Sequence, residues 1–317
     1  MNQETVQTRE TSLGQPLKKT FWQRISPTND EAFRIWAIIP ALLILISLTL
    51  YPALQLLRMS VSEVEFVEGA LQWEYVGSKH IEQMLTDPVV PDAFRNTLIF
   101  VVVVVIVETF FGLVLALAVS RVTRMVGLYR AVLVVPLLIP PVAIGTIWRL
   151  MYDYNYGIIN PLLGLIGIEG PTWTADPNLA LISIMIVDFW HWTSFLFLIL
   201  LAGVESLPHE LNEAARVDGA NEWQIYRYVM LPLLRPTILV AMMLRTIFAF
   251  KVFDQVFVLT GGGPGTASTV ISMYIYEVFF VQFRLGYGAM LALVTALIVS
   301  IFVVFYQWMN ALVRDRM

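Results

Sequence analysis

The chain has 317 residues, 58% hydrophobic and only 14% charged, with a mean hydropathy of +0.72; soluble domains carry about 45–50% apolar and about 25% charged residues, so this one lacks the charge to cover a water-facing surface. An aromatic fraction of 13% argues against disorder, and a net charge of −4 leaves no basic footprint for nucleic acid. Zero cysteines exclude a disulfide framework, a thiolate metal site and a cysteine nucleophile, and the composition places the chain in a bilayer.

A spanning helix needs about 20 predominantly apolar residues. Six segments meet that requirement: 35–57, 96–120, 130–151, 179–203, 236–260 and 287–309. A polar tail, 1–34, precedes the first span, which is too long for a signal-peptide core and reads as a retained anchor. Its Pro40 and Pro52 are tolerable in a membrane helix. The first span and its external loop fill 35–93, the remaining five spans form a transmembrane domain over 94–310, and 311–317 is a short C-terminal tail. Glu108 lies in the second span, Asp188 and His191 in the fourth, and Arg245, Lys251 and Asp254 in the fifth. The expected fold is all-α and polytopic, with six transmembrane helices.

Orientation follows from the Lys and Arg residues. The tail holds Arg9, Lys18, Lys19, Arg24 and Arg34; the connection after span two holds Arg121 and Arg124, with Arg130 following; the connection after span four holds Arg216, Arg227 and Arg235; and the C-terminus ends with Arg314 and Arg316. On the other side, Arg58, Lys79 and Arg95 are outnumbered by Glu63, Glu65, Glu68, Glu74, Glu82, Asp87 and Asp92, and the loop 152–178 has no Lys or Arg. Both termini are therefore expected in the cytoplasm. The external loops 58–95 and 152–178, rich in Pro, Gly and aromatics, read as compact caps on the bundle.

The cytoplasmic connection 204–235 does not read as a loop. Leu207-Pro208-His209-Glu210 opens a helical pattern with Leu211, Ala214, Ala215 and Val217 on an apolar stripe. Gly219 interrupts it, a second helical stretch follows with Trp223, Ile225, Tyr226, Val229 and Leu231, and Pro232 and Pro236 are expected to end that stretch before span five. Such an element suits an amphipathic hairpin at the headgroups. It equally suits a docking helix that offers the small face of Ala214, Ala215, Gly219 and Ala220 to a groove on a partner. A catalytic loop is disfavoured, because Glu213 and Asp218 have no nucleophile or metal-binding residue beside them.

The spacing Glu213-Ala214-Ala215, three residues, Gly219, nine residues and Val229-Met230-Leu231-Pro232 resembles the EAA loop of binding-protein-dependent ABC importer permeases, with Val229 where the family mostly has Ile. Asp218-Gly219-Ala220 and Thr260-Gly261-Gly262-Gly263-Pro264 are similar to the carbohydrate branch of that family, which includes maltose- and glycerol-3-phosphate-type permeases. The resemblance covers roughly 94–310 and implies the type I ABC importer permease fold. It further implies that Glu213, Ala214, Ala215, Asp218 and Gly219 form a coupling helix seated on a cytoplasmic ATPase. The implied partners are a second related permease, two ATP-binding subunits and an extracytoplasmic solute-binding protein, in the cytoplasmic membrane of a bacterium or archaeon. ATP and Mg would be bound by the ATPase subunits, with no cofactor in this chain.

The chain's own residues agree that the motor lies elsewhere. Gly261-Gly262-Gly263-Pro264-Gly265 has no lysine and cannot act as a phosphate loop; it reads as a helix stop and turn. No catalytic set is expected, and His80, His191 and His209 are too scattered for a metal site.

Ionisable residues within spans mark solute pathways or structural pairs. Lys251 and Asp254, three apart, would share a helix face, either as an ion pair or with Asp254 accepting solute hydroxyls beside Phe250 and Phe253. Trp192 and Phe195, next to His191, also share a face; they suit either an interfacial aromatic belt or the apolar faces of a sugar, and resemblance to maltose-type permeases favours the sugar. Arg245 is expected to snorkel or to pair with an acid on a neighbouring helix. Glu108 has no partner in reach by sequence and is expected to stabilise a helix or subunit interface. The expected function is the permease subunit of an ATP-driven importer for a sugar, glycoside or polyol, working by alternating access, with glycerol-phosphate esters second because Asp254 disfavours an anion. An ion-coupled secondary transporter would show repeated halves and discontinuous helices in corresponding places, and a membrane-embedded enzyme would show a clustered set of acids, histidines or a metal pair facing one leaflet; neither is evident.

Overall fold

In hydrocarbon every backbone N–H and C=O must be satisfied within its own segment, so long apolar runs become helices. The structure, a computed structural model, describes residues 30–67 and 70–314. Tail residues Arg9, Lys18, Lys19 and Arg24, together with Glu68 and Arg316, lie outside the described residues. The chain divides into two compact units, 1–55 and 56–317. The described part of the first is most of helix α1 (Asp30–Ser60), whose apolar side chains from Trp36 onward are largely exposed, as lipid-facing side chains are.

The second unit begins with what sequence periodicity did not reveal, an antiparallel hairpin of β1 (Ser62–Val67) and β2 (Ala70–Tyr75) that pairs Ser62 with Tyr75 and Val64 with Trp73. Short helix α2 (Lys79–Thr86) follows, then the long α3 (Val89–Val119). Next come α4 (Val126–Leu138) and α5 (Pro141–Met151), bent 92° to each other. The connection 152–178 carries α6 (Ile159–Leu165), and the long apolar α7 (Ala180–Glu205) follows. Helix α8 (His209–Val217) is the short helix of the connection 204–235, followed by α9 (Glu222–Phe250), α10 (Asp254–Leu259), α11 (Ile271–Val281) and α12 (Leu285–Arg314). Among the described residues five helices are long and apolar enough to cross a membrane, and the number is six when the bent α4–α5 pair is taken as one broken span.

The bend after α4 has a local cause. Two successive prolines remove N–H donors, and each pushes the residue before it out of the helical region. Ile139 accordingly sits at φ −85°, ψ 129° and Pro140 at φ −57°, ψ 137°.

Span five differs from expectation at both ends. Pro232 and Pro236 do not end the helix, which runs from Glu222 to Phe250. Residues Ile225–Met230 take the wider π-helical register, with Leu231 N–H bonded to Tyr226 O. Pro232, which has no N–H to offer, follows where that register relaxes, so the helix passes through it. The start is fixed by a reciprocal cap: Asn221 Oδ1 accepts from Gln224 N–H at 2.9 Å and Gln224 Oε1 accepts from Asn221 N–H at 2.8 Å. At the far end the helix stops at Phe250 rather than continuing to 260, and the freed Val252 carbonyl accepts the Ser272 hydroxyl.

Lipid tails are as apolar as Leu, so helices associate in a bilayer through close packing and polar contacts. The central pair, α3 and α7, shows the packing at Gly112: a Cβ there would lie 3.0 Å from Leu196 Cβ and 3.1 Å from the Phe197 backbone N. Three buried clusters follow along the bundle. Phe100, Val104, Ile184 and Phe250 centre one; Leu196, Leu200, Ile225 and Leu234 centre the second; and Ala93, Ile271, Val278 and Leu291 centre the third.

Candidate functional sites

The two helix breaks meet. Helix α5, after the proline bend, packs on α10, after the break in span five, and a cleft of about 140 Å³ opens there. Unwound backbone at membrane depth is tolerated only where it is buried in protein or lines a cavity. The two breaks correct the expectation of uninterrupted spans. Broken helices of this kind also occur in secondary transporters, so the breaks alone do not separate the two transporter readings. Trp192, Lys251, Phe253 and Asp254, all expected from sequence, line this cleft together with Asp188 and Gln255. Phe248 completes the wall, stacked on Trp192 with centroids 5.0 Å apart.

The other expected pathway residues fall outside the lining. Phe195 stands behind, edge-on to Trp192 at 5.6 Å and to Phe248 at 5.6 Å. His191 is buried, its Nδ1 3.3 Å from Gln255 Nε2. Phe250 is in the core against Phe302 at 5.4 Å, not beside Phe253, which instead meets Phe257 and Tyr276. Nor do Lys251 and Asp254 share a helix face. Lys251 caps α9 and Asp254 opens α10, so the three-residue spacing crosses a break rather than a helical turn.

Beside the cleft lies a buried ionic cluster. Arg245 from α9 bonds Glu108 of α3 through both Nε and Nη2, the latter at 3.1 Å from Oε1, and bonds Asp188 of α7 through Nη2. All three side chains are almost wholly buried. The planar guanidinium fork suits this double engagement. The pairing part of the expectation for Arg245 therefore holds and snorkelling does not, and Glu108 does tie helices together. Among the described residues, the buried atoms Asp188 Oδ1 and Gln255 Oε1 have no hydrogen-bond partner. Both residues line the cleft, while these two oxygens are themselves buried. Asp188's place in the wall and the roles of Phe248 and Gln255 were not read from sequence; their contacts join different spans, and only the clustering of Asp188 with Trp192 on one face hints at them.

On helix α8, Glu213, Ala214 and Asp218 are exposed, and so are Leu211 and Val217, the latter at 88%. Ala215 and Ala220 instead pack toward the bundle, so the expected small face is split between inside and outside. Gly219 N–H bonds Arg216 O at 3.0 Å and Ala220 N–H bonds Ala215 O at 2.9 Å. This is a Schellman helix stop, with Gly219 at φ +84° in the left-handed region that favours glycine. A hollow of about 490 Å³ separates α8 from the bundle, bridged by Arg216–Glu222 at 3.1 Å and by Arg121–Glu222.

The model of the binding-protein-dependent transport system inner membrane component matches residues 108–317, from the Glu108 carboxylate to the last residue. The chain belongs to that family. Within it, the chain is 34% identical to the sulfoquinovosyl glycerol transport system permease protein SmoG of Agrobacterium fabrum over 86% of this chain and 88% of the relative. It is 37% identical to the trehalose/maltose transport system permease protein MalF of Thermococcus litoralis over 69% of this chain and 74% of the relative. Among solved structures, a bacterial ABC transporter involved in import of the acidic polysaccharide alginate superposes with a TM-score of 0.77 at 23% identity, covering 92% of this chain and 98% of that one, a likeness of fold. The protein is thus a multi-pass permease subunit, and the matched segment holds the ionic cluster, the cleft and α8 together.

Proposed function

We propose that this permease carries a neutral carbohydrate, glycoside or polyol through the cleft at Trp192, as part of an ATP-driven importer. The observation that carries the reading is the stack of Trp192 on Phe248 in a cleft whose wall also holds the polar side chains of Asp188, Lys251, Asp254 and Gln255. Sugars present apolar C–H faces and donor hydroxyls, and each demand has a counterpart in that wall. The sugars in the relatives' names support the same class. Asp188 is already paired with Arg245, so the bias against an anionic solute rests on Asp254, offset in part by Lys251.

In this proposal residues 94–310 form the transporting domain, with 1–34 and 311–317 in the cytoplasm and 35–93 as the first span with its external loop. Glu213, Ala214, Asp218 and the exposed Leu211 and Val217 of α8 meet an ATP-binding subunit, Ala215 and Gly219 hold the helix in its pose, and α8 passes movement through the π segment into span five. Two ATP-binding subunits supply the ATP and Mg chemistry, a second related permease faces the cleft, and an extracytoplasmic binding protein delivers solute. This chain has no hydrolytic site of its own. The test is ATP hydrolysis by the complex co-purified with the products of neighbouring genes in lipid nanodiscs, with and without sugar-loaded binding protein. Loaded binding protein is expected to stimulate hydrolysis; failure of any ATPase to co-purify, together with no stimulation, would overturn the proposal.

A further inference from the structure

A larger hollow, about 690 Å³, runs between α3 and α7. Its wall is aliphatic, with Ile99, Val103 and Val107 facing Ile182 and Ile186, all of them exposed. Its two ends differ. At one stand Arg95 and Asn178. At the other Phe111 meets Phe189 edge-on, with centroids 5.1 Å apart, and narrows the slot. Arg95 is exposed and has no ion pair or hydrogen bond among the described residues. The nearby Asp92 carboxylate is engaged by the Thr266 hydroxyl at 2.8 Å.

We propose that this slot binds one acyl chain of an anionic phospholipid, with the lipid phosphate on Arg95. Charge complementarity selects the headgroup: at the membrane boundary the abundant anion is a phosphodiester, and a guanidinium engages two of its oxygens at once. The slot's length suits a chain that enters from one leaflet. From Arg95 to Phe111 the wall runs roughly 24 Å at 1.5 Å per residue, short of the ~30 Å of hydrocarbon that a crossing helix must traverse. A flexible chain entering from one leaflet fits a slot that narrows before the far side. Under the orientation proposed above that leaflet is the outer one; the binding itself does not depend on what the cleft carries.

The experiment uses the assembled transporter in nanodiscs of equal phosphatidylglycerol and phosphatidylcholine, released into mild detergent and weighed by native mass spectrometry. The wild type is expected to retain one phosphatidylglycerol per copy of this chain. Arg95→Gln is expected to reduce its preference for phosphatidylglycerol over phosphatidylcholine about tenfold, and Ile182→Trp, which fills the slot, to retain neither lipid while still holding the ATPase subunits. Because the chain has no cysteine, Ile186→Cys adds a single thiol for cross-linking. Equal retention by wild type and Arg95→Gln, or a cross-link from that thiol to the second permease, overturns the proposal; the first identifies unspecific annular lipid and the second a protein interface.

Discussion

The Arg245 guanidinium carbon lies 5.0 Å from the centre of the Trp192 indole. The residue that neutralises two buried carboxylates thus also braces the aromatic wall of the cleft. Helices α3, α7 and α9 are fastened to one another at the depth where solute is proposed to pass.

Removing the guanidinium leaves Glu108 and Asp188 buried without a counter-charge. Breaking a buried pair from one side typically costs about 3–5 kcal/mol, so Arg245→Met is expected to lower the apparent melting temperature in detergent sharply. Arg245→Lys keeps a charge but not the fork and should fall between. The triple variant Glu108→Gln, Asp188→Asn, Arg245→Met should recover much of the loss, because no unpaired charge remains. Equal melting of Arg245→Met and wild type would show that the cluster does not hold the spans.

Gly219 is constrained by backbone rather than space. No heavy atom lies within 4 Å of a Cβ built there, yet φ is +84°. An L-residue in that conformation costs roughly 1–2 kcal/mol, and Asn bears it best. Stimulated ATP hydrolysis should therefore rank Gly219, then Gly219→Asn, then Gly219→Ala, with Gly219→Val lowest. A variant order that follows side-chain size alone would contradict this reading.

Gly112 presents the opposite case, ordinary backbone with no room. Gly112→Ala is expected to destabilise the chain by about 1–3 kcal/mol through overpacking, because the nearest atoms belong to the Leu196 Cβ and the α7 backbone and cannot rotate aside. Thermal unfolding in detergent reads the effect.

Asp87, outside the spans, supplies a pH signature. Burial pushes its carboxyl upward, but hydrogen bonds from Tyr274 at 2.5 Å, Tyr287 at 2.7 Å and Val89 N–H at 2.9 Å outweigh that, leaving it below the usual carboxylate range. A depressed pKa stabilises the fold fully above the unfolded value of about 3.9, and that stability fades as pH falls through the lower folded value. Asp87→Asn should lower stability at neutral pH and flatten its loss below about pH 4, as a pH series of melting temperatures would show.

The spans were legible because a long apolar run has one outcome in hydrocarbon, and α8 with its glycine stop was legible because the EAA spacing and Gly219 are local. The ionic cluster was only half legible. Sequence marked Arg245 and Glu108 as costly, but they are 137 residues apart, and no periodicity links them. The end of α9 was misread because Lys251-Val252-Phe253 has no breaker; the carbonyl freed at Val252 is satisfied from α11 by Ser272, a partner 20 residues away that no local pattern announces. Pro232 misled in the other direction, since a π register admits a proline that an α register would reject.

The central claim is that solute passes the Trp192 cleft under ATP power. The most direct measurement is uptake of a radiolabelled neutral disaccharide into proteoliposomes loaded with ATP and Mg, carrying the assembled complex and supplied with binding protein. Wild type should accumulate the sugar, and Trp192→Ala should reduce uptake about tenfold, the factor that ~1.4 kcal/mol represents, while loaded binding protein still stimulates hydrolysis. Undiminished uptake by Trp192→Ala, or uptake that follows an ion gradient without ATP, would contradict the account.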